Sequence, residues 1–167
     1  MPSEKFLQQI GTIEAAFVPI DMQTGANAGD WVSMENYHRC LVVLFAAAGT
    51  AGDDPIFKLQ QATAAAGTGA KDLTFTTVYS KVGTLASVTS WTRTAQAAAT
   101  SYTDAVSAEA QKIIAVEISS DDLDVDNSFN FLQLSVADVG GNAQIGCGFY
   151  IMFDPRYPQA SLVTAES

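Results

Sequence analysis

From Phe17 to Phe153 the chain is written in short runs in which apolar and polar side chains take turns, broken by clusters of Gly, Pro, Asp and Asn. A repeat of two residues is the repeat of a β-strand with one wet face, whereas a helix would space its apolar residues by three and four. IFKLQQAT alternates across Phe57, Lys58, Leu59 and Gln60, and DLTFTTVYS places Leu73, Phe75, Thr77 and Tyr79 on one face. NAQIGCGFYIMF sets Ile145, Cys147, Phe149, Ile151 and Phe153 along one side of a last strand. Between them, RCLVVLFAAA reads as a central strand covered on both faces over 39–46, and KIIAVEIS and FNFLQLSVA read as further strands.

The breaks carry turn chemistry. QTGANAGD, GTAGDDP and AAAGTGAKD combine glycine with Asp, Asn or Pro, residues that supply positive φ, a preset φ, or a local side-chain hydrogen bond. Gly140 and Gly141 read as a hairpin turn, and Gly146 and Gly148 as a bulge or a close backbone approach. The segment 80–111 is rich in Thr, Ser and Ala and is expected to hold one or two weaker strands and a long loop, with a short helical turn over 105–111 as an option. About seven or eight strands at intervals of roughly ten residues predict an all-β fold, a two-sheet antiparallel β-sandwich. Jelly-roll connectivity is one option within that class, because alternation does not set strand order.

Before this block, Phe6, Leu7, Ile10 and Ile13 recur at near-helical spacing. Two readings stand for 4–16: a short helix weakened by Gly11, or a flexible arm that orders on a partner. The expected organisation is an N-terminal arm over 1–17, a sandwich domain over 18–158 and a C-terminal tail over 159–167. Pro155 and Pro158 are expected to stop the last strand.

Composition narrows the functional classes. Of 167 residues 16% are charged, against about 25% in ordinary soluble domains, and the balance is 18 acidic to 8 basic, a net charge of −10. A surface of that sign is repelled by nucleic-acid phosphate and by anionic membrane, so neither is an expected partner. The first twenty residues show no apolar run of signal length, and no stretch of the chain has the length of a membrane span, so a protein made and kept, or assembled, in a cytoplasm is expected. Cys40 and Cys147 each sit in an apolar run, either as reduced small hydrophobes or as a disulfide. With no CxxC spacing and His38 as the only imidazole, the chain offers no zinc ligand set, and no cofactor is expected.

Catalysis by a nucleophile needs a base and an orienting acid beside it, and the chain has no GxSxG elbow, no reactive-cysteine signature and one histidine. The chain therefore reads as no enzyme. Asp121, Asp122, Asp124 and Asp126 invite a calcium reading, but Asn127 and Gln133 stand where an EF-hand loop needs glycine and glutamate. A solvated turn with Leu123 and Val125 tucked inward is the expectation. Trp31, Tyr37, Trp91 and Tyr102 are read as sandwich aromatics before they are read as a sugar platform.

The segments VPIDMQTGANAGDWVSMENYHR, LQQATAAAGTGAKDL, AVEISSDDLDV and FYIMFDPRYP, spanning Val18 to Pro158, resemble a family of small tailed-phage proteins associated with head genes near the major capsid protein. Its most specific pieces here are GDWVS, QQAT with AGTGAK, and DPRY. The resemblance implies a capsid decoration, or cement, protein on the exterior of the virion shell. It further implies the major capsid protein as partner and a homotrimer over threefold positions. A minor head or tail component is an equal reading of the same gene association, and a receptor- or glycan-binding virion module, with calcium in its acidic loop, is the alternative. For contact with the shell or with sister subunits the candidates are Phe6, Leu7 and Ile10 in the arm and Asp30 and Trp31 in the GDW turn.

Overall fold

The computed structural model describes residues 11–104 and 110–157. Twelve strands follow one another: β1 (Thr12–Asp21), β2 (Asn27–Ala28), β3 (Val32–Ser33), β4 (Tyr37–Ala46), β5 (Ile56–Ala62), β6 (Lys71–Asp72), β7 (Phe75–Gly83), β8 (Thr92–Ala99), β9 (Ser101–Thr103), β10 (Gln111–Ser119), β11 (Phe131–Val136) and β12 (Ile145–Pro155). Sheet I runs β1-β12-β4-β10-β7-β8. Sheet II runs β2-β11-β5-β6, with β3 also on β11 and β9 also on β5. All pairings are antiparallel. The molecule is the all-β, two-sheet antiparallel sandwich that the alternation predicts.

The strand order also settles the connectivity. If β2 and β3 count as one interrupted strand on β11, and β6 and β9 as two pieces on β5, the sheets read β1-β12-β4-β10 against β2/β3-β11-β5-β6/β9. That is the jelly-roll arrangement of two Greek keys. The β7–β8 hairpin is inserted between the two pieces that lie on β5 and widens sheet I beyond β10. All the other links between successive strand positions cross from one sheet to the other, apart from the β5–β6 hairpin.

Alternation decides which side chains meet between the sheets. Cys40, Val42, Leu44 and Ala46 of β4 and Ile114, Val116 and Ile118 of β10 point inward from sheet I. Phe57 and Leu59 of β5 and Leu132, Leu134 and Val136 of β11 meet them from sheet II. Phe57 also meets Phe75 edge to face, with centroids 5.9 Å apart. Burying one such side chain contributes about 1.5–3 kcal/mol.

On β12 the inward positions are Gly146, Gly148, Tyr150 and Met152, all buried. A Cβ at Gly148 would stand 2.7 Å from Leu134, and one at Gly146 would stand 2.6 Å from Met22, so the two glycines mark a close approach of the facing layer, and they also pair with Phe17 and Ile20 of β1, where the register shifts.

Several expectations are corrected. Residues 12–16 are neither helix nor arm: Thr12, Glu14 and Ala16 turn inward and Ile13 and Ala15 outward in β1, which pairs with β12. Of the 1–17 arm, residues 12–17 therefore belong to the sheet, because the edge of β12 supplies hydrogen bonds that an isolated short helix could not match. Phe6, Leu7 and Ile10 lie outside the described residues, as do 105–109 of the optional helical turn and the 159–167 tail; Gln111 opens β10.

In β7 a register shift between Phe75 and Thr77, against Ala99 and Ala95, breaks the alternation. Phe75 is buried, but Val78 and Ser80, not Thr77 and Tyr79, continue inward. The extra residues fall in β8, where Gln96 fills the gap by donating from Nε2 to the carbonyls of Phe75 and Ser101.

Gly140 and Gly141 form no hairpin, since β11 and β12 lie in different sheets and the loop crosses between them. Cys40 and Cys147 are both free and point to opposite faces of sheet I. Among the described residues no helix is long and apolar enough to cross a membrane.

Candidate interaction face

In a two-layer sandwich one face of each sheet is dry and the other meets water, and the wet face ordinarily carries the polar residues. Sheet I departs from that rule. Because Gly146, Gly148, Tyr150 and Met152 take the inner side of β12, its large apolar set, Ile145, Cys147, Phe149, Ile151 and Phe153, takes the outer side. Leu41, Val43 and Phe45 of β4 stand beside that set in register, and Ile113 and Ala115 of β10 come next. Ile13 and Ala15 of β1 extend the patch to one edge, opposite Ile151 and Phe149, and Tyr79 of β7 extends it to the other, opposite Ala115.

The side chains cover one another at the centre, where Val43 and Ala115 are buried, and open toward water at Ile13 (52% exposed), Ile145 (51%) and Phe45 (45%). At one end Phe45, Ile145 and Cys147, with Pro19, line a groove of about 210 Å³.

Charge on this face follows the same division. Arg39 pairs with Glu117 and holds its guanidinium 5.0 Å from the Phe153 ring. On the β7–β8 side Lys81 lies 5.6 Å from the centre of the Trp91 ring, and Arg93 donates to Thr77 Oγ1 at 3.4 Å. Among the described residues the carboxylates at this face are Glu117, matched by Arg39, and, at the β1 corner opposite Ile145, Asp21, whose Oδ1 accepts the Gln23 and Gln144 N–H groups. The face is therefore apolar with a cationic margin, while the rest of the molecule carries the excess of acid. Burial in these apolar surroundings pushes the Cys147 thiol above its ordinary pKa, which disfavours the reactive thiolate.

The residues singled out from the sequence have backbone and packing roles in the fold, and Asp30 keeps an exposed side chain. In the GDW turn the Asp30 N–H donates to the Ala16 carbonyl of β1 at 2.8 Å. The Asp30 carbonyl accepts from the Tyr150 hydroxyl at 2.9 Å, and that oxygen accepts the Leu134 N–H at 2.8 Å. The turn thus ties both sheets together. Trp31 is half-buried beside Gly67, where an added Cβ would stand 2.9 Å from the indole nitrogen.

Two carboxylates of the acidic connector are spent on the fold as well. Asp122 accepts the Ser119 N–H at 2.8 Å in a capping box, and Asp124 pairs with Lys71 and accepts from Asn127. Leu123 is buried as expected, but Val125 is exposed, because the 3-10 turn Val125–Asn127 points it outward.

Among the described residues no three His, Cys, Asp or Glu side chains are placed to hold a metal ion. Tyr37 is in the core, Tyr102 packs against it from β9, and Trp91 sits by Lys81, so the four rings form no common platform. A polar cleft of about 360 Å³ lies between Thr74–Thr77 and the end of β10, but its carboxylates, Glu117 and Asp122, are the ones held by Arg39 and Ser119. His38 is exposed.

Alternation announced an apolar row on β12; what it did not reveal was that the row faces outward. The signal was present in Gly146 and Gly148, which leave room on the opposite side for the facing sheet. Compared with known proteins, the chain matches no protein-family model, no curated sequence and no solved structure.

Proposed function

We propose that the protein is a structural virion component that binds the exterior of a tailed-phage head and stiffens its shell, with the major capsid protein as partner, after assembly in the host cytoplasm. The observation that carries this reading is the outer face of sheet I, a broad apolar surface that marks the chain as a part built to be covered by protein, a sister subunit or the shell. Protein contact, not turnover, is the role such a face serves. The jelly-roll connectivity adds an analogy at the level of fold, since viral capsid domains use it, and lectins do too. The resemblance of the GDWVS, QQAT and DPRY segments supplies the phage head as the setting. A small subunit that touches several capsomers at once strengthens a shell through many modest contacts acting together.

The test is to incubate the purified chain with undecorated capsids and reconstruct the particles by cryo-electron microscopy. Regular extra density on the outer shell, together with a higher temperature of capsid rupture, is the expected result. Density confined to the tail, or no binding at all, overturns the proposal.

A further inference from the structure

We infer that the outer face of sheet I is the contact between two copies of this chain, stacked face to face about a two-fold axis. The assignment rests on the reading of that face as a protein-binding surface, and it does not depend on the phage setting. Three observations lead to it.

The first is size. Strands stand about 4.8 Å apart and rise about 3.3 Å per residue. The five strands from β1 to β7, over the length from Ile145 to Phe153, therefore outline roughly 24 by 26 Å, on the order of 600 Å² per copy. Two copies bury about 1,200 Å² together, above the roughly 1,000 Å² that marks a specific interface.

The second is charge. At −10 per chain, copies repel each other over most of their surface. This face is where the repulsion is relieved, because among the described residues its carboxylates are taken up, Glu117 by Arg39 and Asp21 by the Gln23 and Gln144 N–H groups, and its margin carries Lys81 and Arg93. A two-fold axis along the strands lays the β8 edge of one copy over the β1 edge of the other. The two cationic margins then stay apart and each meets the apolar side around Ile13.

The third is shape. A flat sheet face is self-complementary under a two-fold operation, and aligned sheets stack at about 30° with side chains interleaved. A threefold ring, the arrangement that the phage resemblance implies, joins one patch to a different patch on the next copy and leaves a single flat face of this kind wet.

The experiment measures the solution mass of the full chain by light scattering and the rate at which a small maleimide labels Cys147, located by mass spectrometry. Cys40, fully buried, serves as the internal control. Phe45→Glu and Ile145→Glu both change side chains that are half exposed in the single chain, so each variant keeps the fold, as circular dichroism checks. The expected result is a mass of two copies, protected Cys147, and in each variant a pair weakened roughly 10-fold or more, with Cys147 labelled faster. A single-copy mass with Cys147 freely labelled overturns the pair and leaves the open face as a surface for a different protein. A single-copy mass with Cys147 still protected means that the chain covers the face itself, which overturns both the pair and that reading of the face. An assembly of any size that neither variant disturbs places the contact elsewhere and overturns the pair.

Discussion

Tyr150 carries a hydroxyl into the middle of the molecule, and it is tolerated there because both hydrogen-bonding capacities of the oxygen are used, toward Asp30 and from Leu134. Burial pushes the phenol well above its ordinary pKa, so it stays a neutral donor. Tyr150→Phe strands a buried Leu134 N–H and should lower stability by about 1–3 kcal/mol, read as a lower urea midpoint at unchanged slope. An unchanged midpoint would show that the bridge between the sheets contributes nothing. From the sequence, Asp30 and Trp31 are contact candidates in a GDW turn that is among the most specific pieces of the resemblance. Their post at a junction between the sheets depends on Tyr150, 120 residues away, and spacing along the chain carries no trace of that.

At the scale of elements, β12 shows how far periodicity reaches. Its alternation is plain in the sequence, and so is its end at Pro155. The side that turns inward is chosen by the facing layer: Leu134 and Met22 need the room that Gly148 and Gly146 leave, so the bulkier apolar row is turned out. β7 is a second case, where the pairing with β8 shifts between Phe75 and Thr77 and Tyr79 lies on the outer face.

The connector after β10 yields a prediction about acid. A hydrogen bond from Lys71, and a second from Asn127, hold the Asp124 carboxyl below its ordinary value of 3.8. A carboxyl whose pKa is lower folded than unfolded adds stability that is complete above the unfolded value and is lost as the pH falls through the folded one. Asp124→Asn should therefore be less stable than the parent near neutral pH by a small amount, as for other exposed pairs. The difference should close as urea midpoints are followed from about pH 7 down to about pH 2. A gap that persists at the acid end would assign the effect to something other than the carboxylate charge.

For the molecule as a whole, the described residues leave one apolar sheet face uncovered, and covering it with a second copy, as proposed above, links folding to association. Such a protein melts at a temperature that depends on its own concentration. Thermal unfolding of the full chain should shift to lower temperature on dilution, and the Phe45→Glu variant should melt at the same temperature at every concentration. A concentration-independent melt in the parent would argue that the single chain is already the stable unit.

The sequence by itself determined that the fold is all-β and layered and where most strands fall, because alternation and turn residues are local properties of the chain. Tertiary structure alone decided the strand order, the assignment of 12–16 to an edge strand, and which face of sheet I stays dry. Each of these depends on what lies across the sandwich or beside a strand edge, at sequence separations over which a two-residue period is silent.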